Sequence, residues 1–326
     1  MARIALVHDI AGVAQVQARL LRAAGHQVDE IDLPRTGDTW RWPFKAIALL
    51  IRVLGYLPAV RRLKGGRYDV VHIHWLPVGI VGVMAAVPFY VQAHGSDLHS
   101  NLRNPILRRV TRMVLRRAKL VFYVTPNLLG YLEGFEHKAR YLPNPVEPRE
   151  IAADPRPPAG VSKVVIFTRL DPVKGVDQIF PAVAGLAEVV KLTALDWGPL
   201  AVEYKARYAE HVSFVSPVAH EQIGAFLQEF DLAIGQMRQG ILSLMELEAM
   251  AAGRPLVTGI NQDLYRDDVP PVIRALNSPE ITAAVRGLAA DRDELTRLSQ
   301  QGRAWVARNH GRARHLQLLE ASYFAK

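Results

Sequence analysis

The sequence predicts an α/β protein built on parallel sheets, for three reasons. Short apolar runs recur along the chain, each followed by a polar or glycine-bearing loop and then a helical pattern. Arg3–Val7, Tyr90–Ala93, Val121–Thr125, Lys163–Phe167 and Leu232–Ile234 are of this kind, as expected of strands buried on both faces. The chain has 326 residues, half of them hydrophobic, enough for two domains that each bury a core. Finally, Asp231–Val257 (DLAIGQMRQGILSLMELEAMAAGRPLV) reads as one strand–loop–helix–strand unit.

In that unit Leu232–Ile234 is the strand and the loop contains Gly235 and Gly240. The helix starts at about Ser243 and stops at Gly253, with Pro255 just beyond. Ser243 and Glu246 have the spacing of a capping box. The N–H groups at Leu242, Ser243 and Leu244 lie at the helix start, where their partial positive charge suits a phosphate. Glu246 is accounted for by the capping box alone. Glu248 sits among Leu244, Met245, Leu247 and Met250, where an unpartnered carboxylate is costly. It is therefore expected to accept hydrogen bonds from a ligand.

Composition narrows the function. Cysteine is absent, which excludes a disulfide framework, a thiolate metal site and a cysteine nucleophile. The first residues run straight into a strand without the pattern of a signal peptide, so a cytoplasmic location is expected. A formal charge of +9 asks for an anionic partner.

In chain order, Arg3–Val7 is the first strand, His8–Val13 a loop with a single Gly12, Ala14–Ala24 a helix and Gln27–Leu33 a second strand. Trp40–Leu63 is apolar around most of its circumference, with Lys45 and Arg52 the only charges between Phe44 and Val60. That run is shorter than the ~20 residues of a membrane-spanning helix. An interfacial helix and a helix packed between sheet and neighbours both remain open. Tyr68–His74 is a buried strand, and His72 and His74 within it read as packed or paired. His94 and Asp97 follow the next strand in HGSDLH, at the strand end where an open α/β sheet binds ligands.

Asn104–Leu120 is an amphipathic helix. Arg108, Arg109, Arg112, Arg116 and Lys119 share one face, with Ile106, Leu107, Val110, Val114 and Ala118 opposite. Cations without interleaved anions repel one another, and an anionic membrane surface would relieve that cost. The helix lacks interleaved aromatics and no nucleic-acid module is visible, so no nucleic-acid partner is expected. Asp154–Ala159 (DPRPPA) reads as a linker. Beyond it, Lys163–Phe167 leads into TRLDPVKGVDQ, where Arg169 and Lys174 are fixed loop cations ahead of a helix and Asp171 shapes the turn.

Taken together, LMELEAMAAGRPLV, the Arg169–Lys174 spacing, His94-Gly-Ser-Asp97 and Tyr141-Leu-Pro-Asn144-Pro-Val resemble the retaining glycosyltransferases of family 4 (group 1), which have the GT-B fold. The resemblance implies two facing Rossmann-like domains with parallel sheets and an interdomain cleft. Residues 1–150 would form an acceptor-side domain, 151–307 a nucleotide-sugar domain, and helix 308–326 would pack back on the first. It implies transfer from a nucleotide-diphosphate sugar to a membrane-associated lipid or a polysaccharide intermediate, at the inner face of the cell membrane. His94 would face the sugar, with Asp97 supporting its loop. Arg169 and Lys174 would stabilise the leaving diphosphate together with the helix start, and Glu248 would hold the ribose. Gly12 falls where members carry a Gly-Gly pair, at a loop whose backbone approaches the donor phosphate or the acceptor, and it is expected to be donor-binding. No metal or further cofactor is expected. One position departs from the pattern: Gly240 stands where most members have a sugar-binding glutamate, and Gln236 or Gln239 could substitute. A non-catalytic nucleotide-sugar scaffold, or an epimerase or hydrolase on the same fold, are the competing readings.

Overall fold

The computed structural model describes residues 1–34, 51–99 and 101–325. The chain divides into two compact units, residues 1–145 with 315–326, and residues 146–314. DPRPPA thus lies inside the second unit rather than between the two. It is tied down there: Arg254 Nη2 donates to the Arg156 carbonyl, and Arg156 N donates to Gln228 Oε1 at 3.1 Å.

Each unit is built on a six-stranded, all-parallel sheet. In the first the strands are β1 (Arg3–Val7), β2 (Gln27–Ile31), β3 (Val70–His74), β4 (Tyr90–Ala93), β5 (Leu120–Tyr123) and β6 (Ala139–Tyr141), in spatial order β2-β1-β3-β4-β5-β6. The second has β7 (Lys163–Ile166), β8 (Lys191–Leu195), β9 (Val212–Val215), β10 (Leu232–Ile234), β11 (Leu256–Thr258) and β12 (Ile273–Arg274), in order β12-β11-β10-β7-β8-β9. The apolar runs are continuous because both faces are covered. Val164 and Ile166 join one core and Val165 the other, all with no exposure. Each such side chain contributes roughly 2 kcal/mol through burial.

The last element begins later than expected. Helix Arg292–His310 stops at Gly311, and Arg312–Tyr323 forms the final helix. Within the first unit its Leu319 and Tyr323 pack with Ile4, Leu6, Leu21 and Phe122.

The predicted basic helix spans Pro105–Arg117, N-capped by Asn104. Arg108, Arg109, Arg112 and Arg116 are exposed, while Thr111, Val114 and Leu115 are buried. Two assignments to this helix are corrected. Lys119 lies past the helix end, its ammonium 5.4 Å above the Tyr90 ring, and Ile106 is 61% exposed because it sits in the first turn, ahead of the buried residues. Of the 40–63 segment, residues 40–50 lie outside the described residues. Leu57–Gly65 is helical and buries Ala59, Val60 and Leu63, whereas Ile51 and Leu54 are exposed. Among the described residues no helix is long and apolar enough to cross a membrane.

Candidate active site

In an open α/β sheet, ligands bind outside the carboxyl ends of the strands, where the order reverses. In the first unit that point lies between β1 and β3. His94 follows β4, the strand on the other side of β3, and its Nε2 is 3.1 Å from Nδ1 of His74, the last residue of β3. Burial pushes the His94 imidazole down to about 3, with His8 acting in the same direction, so the ring is neutral at physiological pH. Asp97 is fully buried and accepts hydrogen bonds from the backbone N–H groups of Leu76, His94 and Gly95, at 3.0, 3.1 and 2.9 Å. Burial pushes its carboxyl up to about 6, against the pull of those donors. Its side chain therefore braces the loop that presents His94 and does not itself face outward.

Gly12 has a structural explanation. It adopts a left-handed φ of 76°, and its N–H donates to Asp9 Oδ2 at 3.1 Å while Ala14 N donates to Oδ1 at 2.8 Å. Gly12 is a turn residue ahead of helix Val13–Ala23, and that N–H is already taken.

In the second unit the order reverses between β7 and β10, which brings the two expected donor loops together. Met237 N donates to the Lys174 carbonyl at 2.8 Å and Arg238 Nη1 to the Pro172 carbonyl at 2.7 Å. Lys174 Nζ donates to Gln239 Oε1 at 2.7 Å, and burial lowers its pKa while Glu246 opposes that shift. A partly desolvated ammonium whose hydrogen-bond partner among the described residues is a neutral amide is poised for an anion. Arg169 pairs with Asp171 at 2.5 Å and sits 5.9 Å from the Trp197 ring. Asp171 also caps the following turn by accepting from Val173 N at 3.0 Å.

The capping box is present at helix Leu244–Ala251, and Glu246 does more than complete it. Oε2 accepts from Ser243 N at 2.7 Å and from Ser243 Oγ, while Oε1 accepts from Gln236 N at 2.7 Å. Gly235 is required beside it, since a Cβ there would stand 2.6 Å from Glu246 Cγ.

Two expectations are corrected here. Gln236 is fully buried: Nε2 donates to the carbonyls of Ile241 and Gly259, and Oε1 accepts from the N–H groups of Arg238 and Gln239. Its amide is spent on bracing the loop and does not read a sugar. The helix start is also less open than the spacing suggested. Leu242 N donates to the Tyr265 hydroxyl at 3.0 Å and Ser243 N to Glu246. Both are already partnered, which leaves Ile241 and Leu244 as the backbone positions flanking them.

Gly240 has φ 69° and pairs with Ile260 in a short parallel bridge. The backbone conformation, not only the missing carboxylate, separates it from a glutamate-bearing site. Gly240→Glu should therefore lower folding stability by about 1–2 kcal/mol, measured by urea unfolding.

Glu248 is 2% exposed, and its Oε1 lies 3.3 Å from Nδ1 of His220, whose side chain is 67% exposed. The carboxylate raises the His220 pKa. Sequence reasoning missed His220, Tyr265 and Trp197. The only warning was Glu248 itself, a carboxylate in an apolar run that needs a partner. No group of three or more His, Asp or Glu side chains placed to hold a metal occurs among the described residues.

Residues 10–145 match the family model described as Glycosyl transferase 4-like domain, and residues 162–291 that described as Glycosyl transferases group 1. No curated protein sequence matches the chain significantly. Among solved structures, sucrose-phosphate synthase from Thermosynechococcus elongatus superposes with a TM-score of 0.74 at 17% identity, over 99% of this chain and 98% of that one. HepE of Anabaena, in complex with UDP and glucose, gives 0.74 at 13% identity over 100% of both chains. A glycosyltransferase from Rickettsia africae gives 0.75 at 14% identity, over 99% of this chain and 97% of that one. The two parallel sheets and these neighbours define a GT-B fold. With both halves matched, the chain belongs to the group 1 glycosyltransferases and is a glycosyltransferase.

Proposed function

We propose that this enzyme moves a sugar, with retention of anomeric configuration, from a nucleoside-diphosphate sugar to a lipid or carbohydrate acceptor at a membrane surface. The observation that carries the donor half is the pairing of the β7 and β10 loops, which sets Lys174 against Gln239 beside Arg169. Breaking the glycosidic bond loads negative charge on the diphosphate, and cations already held in place stabilise it without reorganisation. Glu248 then accepts hydrogen bonds from the ribose hydroxyls, which donate in place of His220. His94 contacts the sugar, and the donor phosphate takes the acceptor's proton. HepE structures with UDP, with UDP and glucose, and with UDP-glucose make uridine nucleotides the first donors to try.

The exposed arginines of helix Pro105–Arg117 support a membrane-side acceptor, and the lipopolysaccharide outer core galactosyltransferase WaaB, at a TM-score of 0.68, has the same fold. Each arginine near an anionic surface contributes about 1 kcal/mol. Replacing Arg108, Arg109, Arg112 and Arg116 with serine should weaken binding to phosphatidylglycerol-containing vesicles roughly 1000-fold, with little change on pure phosphatidylcholine. Equal binding by the variant excludes this face as the anchor. Transfer itself is tested by incubating the enzyme with radiolabelled sugar nucleotides and a membrane lipid extract, then determining the anomeric configuration of the product. An inverted linkage rules out the retaining mechanism.

A further inference from the structure

His74 has no exposure and touches the candidate sugar contact directly, through Nδ1 to His94 Nε2 at 3.1 Å. Burial and neighbouring histidines keep both imidazoles well below their ordinary pKa. Between two neutral rings, one nitrogen must carry the proton and the other must accept it. The choice is made on the far side of His74, whose Nε2 is buried with no hydrogen-bond partner among the described residues. A buried N–H with no acceptor costs more than a bare lone pair. The proton therefore sits on His74 Nδ1, His94 Nε2 accepts it, and the proton of His94 is on Nδ1.

The mount beneath His74 is stacked and hydrogen-bonded. His72 stacks on it with centroids 4.7 Å apart and planes 14° from parallel. His72 Nδ1 lies 2.5 Å from the Tyr323 hydroxyl, and Tyr90 Oη donates to the Tyr323 carbonyl at 3.2 Å. The final helix thus clamps His72, and His72 sets the plane of His74.

We propose that His74 is a positioning residue that donates from Nδ1 to His94 Nε2 and so holds His94 as the Nδ1–H tautomer, a neutral hydrogen-bond donor toward its ligand. A ring so held supplies a donor to a sugar hydroxyl or to a developing oxyanion, and does not act as a general base. The functional consequence rests on the reading of His94 as the sugar contact. The tautomer does not, because it is measured on ligand-free protein.

The test is a two-bond nitrogen–proton correlation spectrum of histidine-labelled full-length protein at neutral pH, with His94 signals assigned by their loss in H94Q. Nδ1–H at His94 in the unaltered protein is the expected result, and Nε2–H overturns the proposal. H74N keeps an amide donor near the same place and should retain the tautomer. H74L should lose it and reduce turnover roughly 10- to 100-fold, with KM for the donor changed by no more than about threefold. Unchanged turnover in H74L despite an altered His94 tautomer overturns the positioning role. The spectrum of the unaltered protein decides the tautomer even if H74L fails to fold.

Discussion

Lys174→Ala should lower the transfer rate roughly 100- to 1000-fold while changing folding stability by no more than about 1 kcal/mol. Both halves of that expectation come from the same surroundings. Among the described residues Lys174 Nζ donates to a neutral partner, Gln239 Oε1, and burial lowers its pKa, so the charge is uncomfortable in the free enzyme and little is lost with it. A bound diphosphate removes that discomfort, and the gain grows as the leaving group becomes more negative. The check is steady-state transfer kinetics beside thermal unfolding of the same preparation. Parallel losses of activity and stability would assign Lys174 a structural role instead. Lys174→Arg keeps the charge and should fall between the two, since the guanidinium is larger and differently shaped.

Glu246→Ala should show the opposite pattern, costing about 3 kcal/mol of stability before any effect on chemistry is considered. Its carboxylate is fully buried and takes the N–H groups of Gln236 and Ser243 and the Ser243 hydroxyl. Removing it leaves those donors buried without partners and takes away the cap of helix Leu244–Ala251. Glu246→Gln retains an acceptor oxygen and should recover part of the loss. Urea unfolding measures both. If Glu246→Ala unfolds like the unaltered enzyme but fails to bind nucleotide, Glu246 is a ligand contact and the bracing role is wrong.

The contrast between these two residues shows what the sequence made legible. Local periodicity and caps came through because they are written within a few positions. The strands Lys163–Ile166 and Leu232–Ile234 stand out as apolar runs since both faces are covered. The Ser243–Glu246 box lies within one helical turn. The Lys174 and Gly240 loops could be placed near each other because they share a motif pattern, and the strand order between β7 and β10 explains why. Boundaries fared less well: Ala118 and Lys119 continue the helical period yet already belong to the approach to β5.

Partners distant in sequence stayed hidden. Nothing near Leu242 indicates that the Tyr265 hydroxyl covers its N–H, and nothing near Glu248 points to His220. Gln236 was misjudged for the same reason. Its amide was available on paper, but four hydrogen bonds to the surrounding backbone consume it. A spacing argument gives the donors and acceptors present, and only the folded loop shows which are still open.

The most direct test of the donor site is thermal unfolding of the purified enzyme against a panel of nucleoside diphosphates and their sugars. Selective stabilisation by one base is predicted, about 2.7 kcal/mol at 100 times Kd, larger with one sugar attached and largely lost in Lys174→Ala. No stabilisation by any member of the panel would contradict a nucleotide-sugar site at the Arg169–Lys174 and Gly240 loops.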